Sequence, residues 1–187
     1  MTNNTPLVRI RQLRHGWPGL PLFDGLDIHI PPGITLITGD EGCGKSTLLR
    51  LIAGREPPVA GHIERSGTAF LNDILSPAHD NTPVQALLAG VPEDLVQGFG
   101  LVEHRAKPLY MLSAGSRRKV GLCQTLASGA RVLLLDQPVA ALDSPSIRFL
   151  AACVDAVVRE PDRAVVLADY EAPPGMPPDH TVVLPDR

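Results

Sequence analysis

The stretch Gly39-Asp40-Glu41-Gly42-Cys43-Gly44-Lys45-Ser46-Thr47 concentrates the groups that hold phosphate. Glycines let the backbone turn tightly and bring several N–H groups onto one anion. A helix starting at Lys45 would add the positive end of its dipole. The spacing Gly39-x4-Gly44-Lys45-Ser46 lets a lysine reach the outer phosphates and a hydroxyl ligate Mg²⁺. An ordinary glycine-rich strand-to-helix turn does not require the Lys45-Ser46 pair. Cys43 sits inside the loop. It reads most simply as a small residue pointing away from the ligand, the alternative being a redox-sensitive switch.

A second candidate group is the carboxylate of Asp136, which ends the apolar run Val132-Leu133-Leu134-Leu135. Alone, such an acid could simply close a strand. Together with a phosphate loop, it is placed to hold Mg²⁺ through water.

These groups need rigid elements behind them. Ile34 to Thr38 is a short apolar run leading into the loop. Leu48, Leu49, Leu51 and Ile52 then follow helical spacing, with Gly54 as the expected C-cap. Val132 to Leu135 has no polar alternation, the mark of a strand buried on both faces in a parallel sheet. Ser144 reads as the N-cap of a further helix with Pro145 at its first position, and Ile147, Leu150, Val154 and Val157 line one face. Val165 to Leu167 and Val182 to Leu184 read as strands. The expected class is therefore α/β with a parallel-sheet core. Residues 7 to 14 and 22 to 30 read as strands of a small antiparallel element, joined through a Gly/Pro turn. Residues 73 to 118 show helical patches at Val84–Leu88 and Asp94–Gln97 and no convincing strand, as expected of a small helical insertion. The whole, 1–187, reads as one domain.

Composition excludes several function classes. Apolar residues make up 44% of 187, too many for a disordered chain, and the net charge of −3 argues against a non-specific nucleic-acid binder. The one basic cluster, Arg117-Arg118-Lys119, reads as a solvated face at a helix start. The first residues show no basic segment followed by an apolar stretch, so no signal peptide is expected. No apolar run approaches the roughly 20 residues of a membrane span, so the expected location is cytoplasmic. Cys43, Cys123 and Cys153 are too scattered for a disulfide framework or a zinc spacing.

The chain resembles a known family. Leu112-Ser113-Ala114-Gly115-Ser116, followed by Lys119-Val120, is similar to the signature sequence of ATP-binding cassette ATPases, and Ala140-Ala141-Leu142-Asp143 after Pro138 is similar to the D-loop of that family. With the phosphate loop and Asp136, these motifs stand in the family's order, and the resemblance runs from about Val8 to Leu184. It implies that the ligand is ATP with Mg²⁺, bound by Gly39, Gly42, Cys43, Gly44, Lys45, Ser46 and Thr47, with Asp143 near the site. It implies that two cassettes pack head to tail, with Ser113 and Gly115 reaching the γ-phosphate held by the partner chain. It further implies that the helical insertion docks on an integral membrane permease, which would hold the chain at the inner face of the membrane. Trp17 falls where the family stacks an aromatic on adenine.

The chain also departs from the family pattern. Gln137 stands where the family has the glutamate that activates water, and an amide cannot take a proton at neutral pH. Loss of a general base typically costs about 10²- to 10⁴-fold in rate. Tyr170 stands at the position of the switch histidine. Asn72 stands near that of the Q-loop glutamine, where it would meet nucleotide and Mg²⁺. Ala114 and Ser116 replace the usual glycine and glutamine. Binding groups are retained while hydrolysis groups, Gln137 and Tyr170 beside Lys45, are altered. The expectation is a transporter ATP-binding subunit with impaired hydrolysis, similar to the small cassettes of haem-export, cytochrome c maturation systems. It would pair with a second cassette, as a homodimer or a heterodimer. The alternative is a non-transport regulatory module acting on a protein partner.

Overall fold

The computed structural model describes residues 5–72 and 77–185. The start of the 73–118 insertion, at 73–76, and both chain ends lie outside the described residues.

The first strands are β1 (Val8–Trp17) and β2 (Leu20–Ile30), followed by β3 (Gly33–Thr38), helix α1 (Lys45–Ala53), β4 (Ala60–Arg65) and β5 (Ala69–Leu71). A helical stretch follows, with α2 (Val84–Leu87), α3 (Glu93–Gly98) and single turns of 3₁₀ helix at Pro77–His79, Val102–His104 and Leu109–Met111. The remainder is α4 (Ala114–Ala127), β6 (Val132–Asp136), α5 (Ser144–Arg159), β7 (Ala164–Ala168) and β8 (His180–Val183). Among the described residues the strands form two sheets: an antiparallel one ordered β2-β1-β4 and a parallel one ordered β5-β6-β7-β3-β8.

Both faces of the parallel sheet are covered, and side-chain alternation sorts its residues between two cores. Ile34, Leu36, Leu133, Leu135, Val165 and Leu167 pack on one side with residues of α4 and α5 and of the helical stretch, Leu150 and Val120 among them. Ile37, Val132, Leu134, Val166 and Ala168 pack on the other side with α1 and the antiparallel sheet. This double burial is why the central strands lack polar alternation.

Helix α1 has only nine residues, too few to be stable alone. Its buried Leu48, Leu49, Leu51 and Ile52 anchor it, each contributing roughly 1.5–3 kcal/mol on full burial. Gly54 ends it in the left-handed region at φ 71°, its N–H donating to the Leu51 carbonyl at 3.0 Å.

The structure corrects several sequence expectations. The N-cap of α5 is Asp143, not Ser144: its carboxylate accepts from the Ser146 N–H at 2.8 Å. Strand β1 runs on to Trp17, and the turn to Leu20 is only two residues long. Strands β4 and β5 were not expected. The Arg117-Arg118-Lys119 cluster is not a free solvated face. Arg117 pairs with Asp80 and donates to the Leu109 carbonyl. Arg118 donates to the Gln137 carbonyl. Lys119 pairs with Asp143 at 2.6 Å.

Candidate functional site

Parallel pairing aligns the carboxyl ends of three strands. Ala168 sits opposite Ile37 on one side and Asp136 on the other. The loops leaving β3, β6 and β7 therefore emerge side by side, the edge at which open α/β sheets bind ligands.

The loop after β3 turns through Gly39 and Gly44. Gly44 is the N-cap of α1 at φ 105°, and a Cβ there would come within 2.7 Å of the Phe23 ring on β2. The antiparallel sheet thus presses directly on the loop. No side chain caps this helix, which leaves its first N–H groups without a side-chain acceptor, the arrangement by which helix starts can receive an anion. Cys43 is buried in the core on this side, 3% exposed, with its sulfur packed under Gly39. It is a small inward-pointing residue and does not line the loop's open face.

Lys45 is only 7% exposed. Its ammonium donates to the Gly39 carbonyl at 2.5 Å and the Asp40 carbonyl at 2.9 Å, and it lies 3.8 Å from Cys43 Sγ. The Tyr170 ring covers it, with the centroid 4.3 Å from Nζ. The Tyr170 backbone is fixed by Thr38 Oγ1, which donates to its carbonyl at 2.7 Å, and by Asp169 Oδ1, which accepts from its N–H at 2.9 Å. Tyr170 thus lies at the phosphate loop, directly over the lysine.

Ser46, Asn72, Asp136 and Gln137 line one cleft of about 270 Å³. A hydroxyl and a single carboxylate, completed by phosphate oxygens, suit Mg²⁺, which keeps few protein ligands. Asp136 ends β6 and is exposed. Gln137 follows in the left-handed region at φ 43°, a conformation costly for a side-chain-bearing residue. Three contacts hold it there. Its N–H donates to the Ala168 carbonyl at 2.9 Å, and its carbonyl accepts from Ala140 N–H at 3.2 Å and from Arg118. Asn72 donates from Nδ2 to Gln124 Oε1 of α4 at 2.8 Å. Thr47 Oγ1 accepts from Arg50 at 3.0 Å.

Ser113 caps α4, its Oγ accepting from the Ser116 N–H at 3.1 Å. Gly115 abuts the Ala141 carbonyl, which would lie 2.3 Å from a Cβ. The Lys119–Asp143 pair joins the same two segments and, with the Ser146 bonds, holds the Asp143 carboxyl well below the usual carboxylate range. Trp17 stands 67% exposed beside the tight turn of the β1–β2 hairpin and is not among the residues lining the cleft, while Leu22 and Phe23 further along β2 reach the phosphate loop. Sequence reasoning missed Arg50 and Arg118 as cleft-lining residues and Gln124 as the partner of Asn72. Only the position of Arg118 in a basic run hinted at a role.

The family model for ABC transporters matches residues 23–87. The chain is 34% identical to the cytochrome c biogenesis ATP-binding export protein CcmA of Ruegeria pomeroyi, over 79% of this chain and 78% of that protein. The chain belongs to the ATP-binding proteins of ABC transporters. It is also 29% identical to the nickel import ATP-binding protein NikO of Rhodobacter capsulatus, over 96% of this chain and 86% of that protein. Importers and exporters are both among these relatives, so the cassette's likeness to them does not separate the two directions. In fold, the cassette matches the solved ATP-binding subunit of an ABC transporter with a TM-score of 0.82 at 17% identity, covering 95% of this chain and 85% of that one. A putative ABC transporter ATP-binding protein from Pyrococcus furiosus matches with a TM-score of 0.74 at 24% identity, over 95% and 96%. No helix among the described residues of the cassette is long and apolar enough to cross a membrane.

Proposed function

We propose that the chain is the ATP-binding subunit of a membrane transporter, forms one nucleotide-binding unit over 1–187, and hydrolyses ATP slowly or not at all. The observation that carries this reading is Gln137. Its backbone is pinned beside Asp136 and it lines the cleft that also takes in Ser46, which supports the reading that an amide stands where a general base would act. It can orient a water but cannot accept its proton.

The phosphate loop from Gly39 through Thr47 holds the phosphates, with Lys45 supplying charge. Ser46, Asp136 and Asn72 hold Mg²⁺, which when bound neutralises phosphate charge. Trp17 stacks on adenine. Ser113, Gly115 and Asp143 face a second cassette in a head-to-tail dimer. The segment 73–118 docks on a membrane permease, which keeps the subunit at the inner face of the membrane.

The test is phosphate release by wild type, Gln137→Glu, Tyr170→His and the double variant, alone and with the partner cassette. Wild-type turnover is expected to be very slow. Gln137→Glu should raise it by roughly tenfold or more, a general base being typically worth at least about 10². The double variant need not be additive, since both changes act on one phosphate. Wild-type turnover of several per second, or no gain from Gln137→Glu, rejects impaired hydrolysis.

A further inference from the structure

The Lys45 ammonium has three N–H donors. They face the Gly39 carbonyl, the Asp40 carbonyl and the Cys43 sulfur, and the Tyr170 ring covers the remaining side at 4.3 Å. The lysine that a phosphate must reach is therefore already surrounded by its own chain. The two carbonyl contacts belong to the loop backbone. The ring is different, because it is carried by a side chain that is itself 52% exposed. Its backbone is tied down at both ends of the peptide, to Thr38 and Asp169, so the ring can swing about its side-chain bonds without disturbing β7.

We propose that Tyr170 is an affinity-setting residue: its ring occupies the open side of Lys45 and competes there with the terminal phosphate of a polyphosphate anion. This rests on the phosphate-loop reading above. A ring face attracts an ammonium electrostatically, and a phosphate oxygen replaces that attraction with a charge-assisted hydrogen bond. Binding then requires the ring to leave, and part of the phosphate's gain offsets the lost contact. The competing group is the ring face, whose centroid lies 4.3 Å from Nζ.

Calorimetric titration of the full chain with MgATP, and separately with inorganic triphosphate, tests this on wild type, Tyr170→Phe and Tyr170→Ala. Tyr170→Ala should bind both probes roughly two- to thirtyfold more tightly than wild type, the range a cation–π contact spans. Tyr170→Phe keeps the ring and should not bind more tightly than wild type. Equal or weaker binding by Tyr170→Ala overturns the proposal. So does tighter binding by Tyr170→Phe, which would make the hydroxyl the obstacle. If wild type binds ATP and Lys45→Ala weakens it about tenfold or more while Tyr170→Ala changes nothing, only the competition fails. If no variant binds either probe, the phosphate-loop reading fails and the competition with it.

Discussion

The starts of α1 and α4 are both short turns containing glycine, and they are built for opposite purposes. At α1 the N-cap is Gly44, which offers no side chain, so no side chain takes up the first N–H groups of the helix. At α4 the N-cap is Ser113, whose hydroxyl takes up the Ser116 N–H, and Gly115 is packed against the Ala141 carbonyl. The first turn leaves its donors without a side-chain cap and buries its lysine. The second uses its residues to join its own helix to the segment before α5. A glycine therefore serves two physical ends in one chain: free backbone donors at 44, and close approach of two backbones at 115. The signature-like motif has a reason to exist inside this chain even before any partner is considered.

Three substitutions probe that contrast, in decreasing order of expected effect. Lys45→Ala removes a charge-assisted phosphate contact worth roughly 1.5–3 kcal/mol. MgATP affinity measured by calorimetry should fall by about tenfold or more. Unchanged affinity would remove the phosphate loop from the comparison. Gly115→Ala places a methyl 2.3 Å from the Ala141 oxygen, and such overpacking typically costs about 1–3 kcal/mol. The melting temperature should drop by several degrees, at about 2–4 °C per kcal/mol for a chain of this size. A neutral result would mean that the two segments can separate freely, leaving Gly115 with no intrachain role. Ser113→Ala deletes the cap and should cost about 1 kcal/mol, a smaller melting shift. ATP affinity of the isolated chain should stay the same, because the cap belongs to the other helix start. If Ser113→Ala weakened ATP binding to the monomer, the division between the two turns would be wrong.

How far the sequence could be read varies along the chain. The central strands were legible because each is buried on both faces, so every residue from Val132 to Leu135 must be apolar. Strand β4 was not, because it pairs only with β1 at a sheet edge, and none of its six residues is fully buried. Its residues Ala-Gly-His-Ile-Glu-Arg carry too little pattern for a strand. The cap of α5 was misplaced by one residue because Asp143 and Ser144 are both good caps. The choice falls to Asp143, whose carboxylate takes both the Ser146 N–H and Lys119, 24 residues away.

Local chemistry alone determined the phosphate loop, the strand that ends in Asp136, the amide at 137 and the family resemblance, since each depends on residue types a few positions apart. Three features needed the folded chain: the partners of Arg117, Arg118 and Lys119, the seat of Gly115 against Ala141, and the Tyr170 ring over Lys45. Each joins segments many residues apart in the chain, and side-chain direction at such a contact is set by packing between elements. Parallel pairing of β3, β6 and β7 supplies that packing. It places three loop ends side by side, and a tyrosine 125 positions beyond the lysine comes to cover it.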